Sequence, residues 1–404
     1  MKHLHKARRY LASLLLIVIS WLAAHGQGNL FNHNFLPIDY PGKTQNWAIE
    51  IDSNNVVWVG NQDGLMSFNG ASWQMIQTPQ KSTIRSLGFD SKGRLYAGGI
   101  ADFGFVADSA SHQTFVSLRN KIPEGVNFND VWNTLANKDQ VVFLTDNYLF
   151  HYINDTIYIN VKTQQYYYLA YKVSQKIFVQ QIGGGLYLAK KNNLIHIKNS
   201  QFFAQKKVHA ILALNGFYLI CTKNHGLFKA QFDSLYTTIV KIEPFYTQID
   251  SELKSHSLYQ AKIINNNQLA FATTNNGLYI TDMRGNVKQH LSSSNQLITD
   301  AIYDIAMAHD GTLWLAQDMG LSIIETGLPI TYYDHHTGIK GSVSEIVKFN
   351  QYLYVTTGFG LYVLDENAPF EQRNFEKIKN LNRQAWSITK METDNEQNLF
   401  ITSS

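Results

Sequence analysis

Val57-Trp58-Val59-Gly60-Asn61-Gln62-Asp63-Gly64-Leu65 and, far downstream, Leu313-Trp314-Leu315-Ala316-Gln317-Asp318-Met319-Gly320-Leu321 follow one plan. A bulky aromatic centres a short apolar strand, and a glycine six residues later permits a tight turn at positive φ before the next strand. The closing pair recurs as Gly185-Leu186, Gly226-Leu227, Gly277-Leu278 and Gly360-Leu361, with Gly104-Phe105 as a variant and Asn147-Tyr148-Leu149 as a degenerate copy. Most intervals lie near 40 residues. The strand before each mark is centred on Trp58, Tyr96, Phe143, Phe178, Ile220, Phe271, Trp314 or Tyr354.

Upstream of each mark by 15 to 19 residues stands a second landmark that opens an alternating strand: Trp47, Arg85, Trp132, Tyr168, His209, Tyr259, Tyr303 and Ser344. Hairpin turns such as Asp52-Ser53-Asn54-Asn55, Asp90-Ser91-Lys92-Gly93 and His309-Asp310-Gly311 lie between the landmarks. The unit reads as strand, turn, strand, glycine turn, strand, then a variable fourth strand such as Ser72 to Ile76 or Ile330 to Tyr333. One such sheet cannot bury both faces alone; radial stacking buries them and leaves only short edges. The expected fold is therefore all-β, a β-propeller of repeated four-stranded antiparallel blades, with about eight blades and a partial ninth beginning at Trp386. A β-sandwich need not keep a fixed period, and β-helix rungs are far shorter.

The spacing divides the chain into residues 1–26 as a signal peptide, 27–331 as a first, seven-bladed propeller and 332–404 as the start of a second, cut inside a blade. A native end completing one ring is the alternative. Phe35-Leu36-Pro37-Ile38-Asp39-Tyr40 reads as a fourth strand without its blade, suited to clasp the last blade of a ring. Lys2, Lys6, Arg8 and Arg9 precede an uncharged apolar run from Leu11 to Ala24, and Ala24-His25-Gly26 supplies small residues at a cleavage site. The run is too short to span a bilayer comfortably, which favours cleavage over an uncleaved anchor. Removing it leaves 30 basic against 31 acidic residues, so the formal charge of +3 is a property of the leader. No basic patch remains for nucleic acid. The single cysteine, Cys221, cannot form an internal disulfide.

The blades resemble the two-component regulator propeller family, the periplasmic ligand-binding sensor domains of Bacteroidetes hybrid and one-component regulators. The likeness is carried by Ile49-Glu50-Ile51-Asp52, Val57-Trp58-Val59-Gly60 and Gly64-Leu65, and again by Tyr303-Asp304-Ile305, Asp310-Gly311-Thr312-Leu313-Trp314-Leu315 and Gly320-Leu321. It extends over the chain after the leader. The resemblance implies two consecutive propellers, then an Ig-like domain, a membrane helix and a kinase or helix-turn-helix output beyond residue 404. It further implies a small-molecule or oligosaccharide ligand, a periplasmic location, membrane attachment only through segments beyond this chain, and a homodimer as one possible state. The alternatives are a secreted propeller for adhesion or assembly and a propeller lyase.

Familiar catalytic and metal signatures are missing, so no catalytic residue, metal site or cofactor is assigned. Gly183-Gly184-Gly185 lacks the lysine of a phosphate loop and falls where every blade turns. Cys221 falls in a second strand, where an inert buried thiol is expected. His335-His336 sits in a loop between blades, where extended backbone would splay the two rings. The ligand-binding candidates are the residues that open the innermost strands of the first ring and converge at its channel mouth: Trp47, Arg85, Trp132, Tyr168, His209, Tyr259 and Tyr303. Such a set could stack on a sugar or hold a small anion, or could seal the blades instead.

Overall fold

The computed structural model describes residues 28–403 except 80, 109–112, 163, 192, 266, 329, 369–373, 382 and 393–396, so the expected signal peptide lies outside the described residues. Second strands are apolar at their centres because each is covered on both sides: Val57–Asn61, Leu95–Gly99 and Val141–Leu144 are buried at every position. First, third and fourth strands flank them in antiparallel order, as in Asn46–Ile51, Val57–Asn61, Gly64–Phe68 and Trp73–Ile76. Seven such sheets fill the compact unit Phe31–Gly327.

The innermost strands of the seven blades are Asn46–Ile51, Ile84–Phe89, Asn133–Ala136, Tyr167–Val173, Val208–Leu214, Leu258–Ile264 and Ile302–Met307. Each touches the next, and the seventh touches the first, which closes a ring around a central channel. Apolar clusters fill the spaces between blades. Trp58, Leu65, Ile84 and Leu95 join the first blade to the second, and Trp314, Leu321, Ile49 and Met66 join the seventh to the first. The fold is a seven-bladed β-propeller.

The ring is clasped by Asn32–Phe35, which pairs antiparallel with Leu321–Glu325 and supplies the fourth strand of the seventh blade. The sequence placed this strand three residues late, at Phe35 to Tyr40, and gave the seventh blade Ile330 to Tyr333 as a fourth strand of its own. Pro37 cannot donate to a ladder, and Leu36 to Asp39 turns instead, with the Asp39 amide on the Leu36 carbonyl and the Asp39 carboxylate on the Leu36 amide. Tyr332 makes only an isolated bridge to Asn29.

Six of the seven expected turn glycines adopt positive φ: Gly64, Gly185, Gly226, Gly277, Gly320 and Gly360. Gly104 does not; it pairs with Ala97 inside the strand Phe103–Asp108. In the second blade Asp102 takes the turn position, accepting from the Phe103 amide and the Ser117 hydroxyl, while Ala101 supplies the positive φ. A short helix, Asp250–Ser255, crosses between the fifth and sixth blades where strand hairpins alone were expected.

A second unit contains Gly28–Leu30 and the residues from Leu328 onward. It holds one four-stranded sheet, Val343–Phe349, Tyr352–Thr357, Gly360–Asp365 and Glu376–Lys377, and one hairpin, Ala385–Glu392 with Gln397–Ser403.

Candidate functional site

Every innermost strand is an edge strand whose outer side faces the channel, and in six of the seven a β-bulge interrupts it near its start. In six blades the register shifts at the landmark residue: between Asn46 and Ala48, Ile84 and Ser86, Tyr167 and Ala170, Val208 and Ala210, Leu258 and Gln260, and Ile302 and Asp304. In the third, Trp132 stands one residue before the strand, its amide on the Leu144 carbonyl. A bulge leaves the extra residue unpaired and turns its side chain away from the ladder. All seven landmark side chains consequently line one cavity of about 680 Å³ on the channel axis.

They also touch one another. Tyr168 donates its hydroxyl to His209 Nε2 at 2.9 Å, because His209 Nδ1 is committed to the Tyr259 carbonyl at 2.7 Å and must carry the ring proton. Burial, opposed by that carbonyl, lowers the His209 pKa to about 4. His209 leans on Tyr259 (5.3 Å), Tyr259 on Tyr303 (5.3 Å), and Tyr303 stacks on Trp47 at 4.3 Å with planes 5° apart. The Arg85 guanidinium lies 3.9 Å from the Trp47 ring centre and 5.5 Å from that of Trp132.

This belt differs from the expected open platform. Tyr303 and Arg85 are both too close to the Trp47 ring to share a face, so both faces of the indole are covered and Trp47 cannot stack on a sugar as it stands. Nor is Arg85 a free cation: its Nε lies 2.6 Å from Asp130 Oδ1. The belt is fixed from outside by carboxylates, with Trp132 Nε1 donating to Asp146 and the Tyr303 hydroxyl to Asp318. Burial first, then that hydrogen bond, raises the Tyr303 phenol pKa well above its ordinary value. Trp47 Nε1 and Arg85 Nη1 are buried without a hydrogen-bond partner among the described residues.

Further along the strands the cavity is lined by charge that the sequence reading missed: Glu50, Lys172, Lys262 and Asp304. Asp304 anchors this rung. Its Oδ2 accepts from the Ile49 amide at 3.1 Å, and its Oδ1 accepts from Gln260 Nε2 at 3.1 Å and lies 3.5 Å from Lys262 Nζ. Burial would lower the Lys262 pKa, but Asp304 and Glu50 together outweigh it and hold the ammonium protonated. Glu50 is the reverse case: burial outweighs the attraction of Lys262 and Lys172 and raises its pKa. These residues follow their landmarks by one, three or four positions, so aligning the copies beyond the openers would have exposed them.

The remaining candidates lie elsewhere. Cys221 is fully buried and its pKa is pushed up by desolvation. Gly183 and Gly185 occupy the turn before the third strand of the fourth blade. His335 and His336 are not splayed on extended backbone. They sit on a 3₁₀ turn capped by Asp334, with ring centres 3.9 Å apart. Asp334, His335 and His336 together form the one His/Asp cluster of metal-holding size among the described residues, and both imidazoles are exposed.

Several solved propellers share this architecture. The extracellular domain of the hybrid two-component system BT3049 from B. thetaiotaomicron matches with a TM-score of 0.65 at 16% identity, over 93% of this chain and 52% of that one. That of BT4673 from the same organism matches at 0.56 and 18%, over 93% and 51%. Virginiamycin B lyase from Staphylococcus aureus matches at 0.53 and 11%, over 74% and 99%. At such identities the likeness is one of fold. The chain spans about half the length of the two extracellular domains. No family model and no curated protein sequence matches it. Among the described residues no helix is long and apolar enough to cross a membrane.

Proposed function

We propose that this chain is the extracytoplasmic ligand-binding region of a membrane-bound signalling regulator, with its ligand held in the propeller channel. The observation that carries the reading is the convergence of seven landmark side chains, one per blade and six of them at a bulge, on a single cavity large enough for a small ligand. A bulge repeated at six of the seven inner strands costs ladder hydrogen bonds, and aiming side chains at one point is the return. The shared architecture with extracellular domains of two-component systems supports a sensor over an adhesive propeller. An oligosaccharide is the ligand class that the family resemblance implies; half-buried Trp132 and the exposed Asp146 carboxylate beside it suit a sugar's apolar face and hydroxyls. A lyase reading has less support, because His209, the imidazole of the channel lining, has both nitrogens occupied.

The test is calorimetric titration of the exported protein with defined neutral oligosaccharides and small polar metabolites, beside Trp132→Ala. Binding with one site per chain that Trp132→Ala weakens supports the channel. Binding indifferent to Trp132→Ala and to substitutions at Tyr259 would place the ligand elsewhere and sink the proposal.

A further inference from the structure

Resting on the reading of the channel as a ligand site, the charged rung specifies the ligand's chemistry. Among the channel's charged groups, Arg85 is paired with Asp130, Lys262 with Asp304, and Asp146 accepts the Trp132 indole proton. Glu50 and Lys172 are left without a direct partner, although Lys262 attracts Glu50 from a distance. Glu50 accepts no hydrogen bond and Lys172 makes neither a hydrogen bond nor an ion pair among the described residues. Glu50 belongs to the first blade and Lys172 to the fourth, on opposite sides of a seven-bladed ring. Both line the same cavity and feel each other's field, yet they do not meet. The Tyr259 hydroxyl, also on the lining, has no hydrogen-bond partner among the described residues either.

We infer that the channel binds a compact zwitterion, an α-amino acid or a short peptide, with its ammonium on Glu50 and its carboxylate on Lys172. A neutral sugar would hydrogen-bond to both groups but bring no counter-charge to either, and a simple anion or cation would satisfy one wall only. Burial outweighs the attraction of Lys262 and Lys172 and holds the Glu50 carboxyl above its ordinary pKa.

The experiment titrates the full chain, by calorimetry, with each of the common α-amino acids, with diglycine, and with neutral mono- and disaccharides. The expected result is saturable binding of at least one zwitterion, weakened about tenfold or more by Glu50→Gln and by Lys172→Met. Glu50→Gln is isosteric and Lys172 is exposed, so both variants should fold, which their unfolding midpoints check; Lys172→Glu provides a second variant on the exposed wall. Zwitterion binding unaffected by these substitutions overturns the inference. Binding of neutral sugars alone also overturns it while leaving the channel as the ligand site, whereas no binding of either class removes both readings.

Discussion

At the level of single residues, the belt is held by a neutral histidine, and this gives the protein a pH dependence of definite sign. His209 titrates near 6.5 when unfolded but near 4 when folded, since protonation would cost a buried charge and the hydrogen bond from Tyr168. His151, fully buried between Gln140 and Asn160, is depressed to about 4 as well, chiefly by burial. A lowered folded pKa means that the unfolded chain takes up protons first as pH falls. Stability from these two groups is full above pH 6.5 and is lost progressively toward pH 4, by at most about 3 kcal/mol for each group. Urea unfolding at pH 7 and pH 4.5 measures it. His209→Gln should remove part of the slope while lowering stability at pH 7; an unchanged slope would show that His209 is not neutral in the fold. The landmark itself was legible, because a large side chain recurring at one phase needs no knowledge of the bulge beneath it. Its availability was not: whether Trp47 offers a face depends on Arg85 and Tyr303, which lie 38 residues after it and 256 after it in sequence.

At the level of the element, one device recurs that no spacing rule announced. The outer amides of an edge strand have no ladder partner, and the residue after the landmark of the preceding blade supplies one. Asp304 accepts from Ile49, Asn133 accepts from Ala170, and in the second unit Glu345 accepts from Ile388. Donor and acceptor occupy the same two repeat positions each time, two after one landmark and one after the other. The strut from Asp304 spans the junction where the ring's seventh blade meets its first. Asp304→Ala should cost about 3 kcal/mol, because it strands the Ile49 amide and Lys262 together, while Asp304→Asn, which keeps an acceptor, should cost clearly less. Equal losses for the two would mean that the amide is satisfied in another way. The clasp is the second closure. Gly320 has φ of +87°, and a Cβ there would lie 2.5 Å from the Phe35 carbonyl oxygen and 2.7 Å from Ile298 Cδ1. Gly320→Ala should therefore loosen Asn32–Phe35 as well as strain the turn, costing about 2 kcal/mol and opening the segment after Phe35 to protease. The existence of a clasp was legible from a strand lacking a blade, but its register was not, because Phe35 to Tyr40 is apolar enough to be a strand and only Pro37 spoke against it.

At the level of the whole molecule, closure decides which part of the chain is stable. In Phe31–Gly327 every blade has a neighbour on each side, and the central residues of its second strands are almost wholly buried. In the second unit Val355, inside a second strand, is equally buried, but other repeat positions are uncovered: Ile346, the counterpart of Ile49, is 59% exposed and Phe400, the counterpart of Trp58, 55%, although Ser344 and Trp386 sit at the same bulge as six of the seven landmarks. Blades gain their stability from neighbours, so a sheet and a hairpin with bare apolar faces should open far more readily than the closed ring and should present edges for association. Limited proteolysis of the whole protein should cut first between residues 343 and 403 and leave a resistant core ending near Gly327. A chain shortened to end at Thr331 should keep the core's urea midpoint, unfold in one transition, and scatter less light at equal concentration. A lower midpoint in the shortened chain would mean that residues beyond 331 support the ring. Resistance of residues 343 to 403 equal to that of the ring would mean that the bare faces are covered by association in solution, which the same scattering measurement would register as a larger particle.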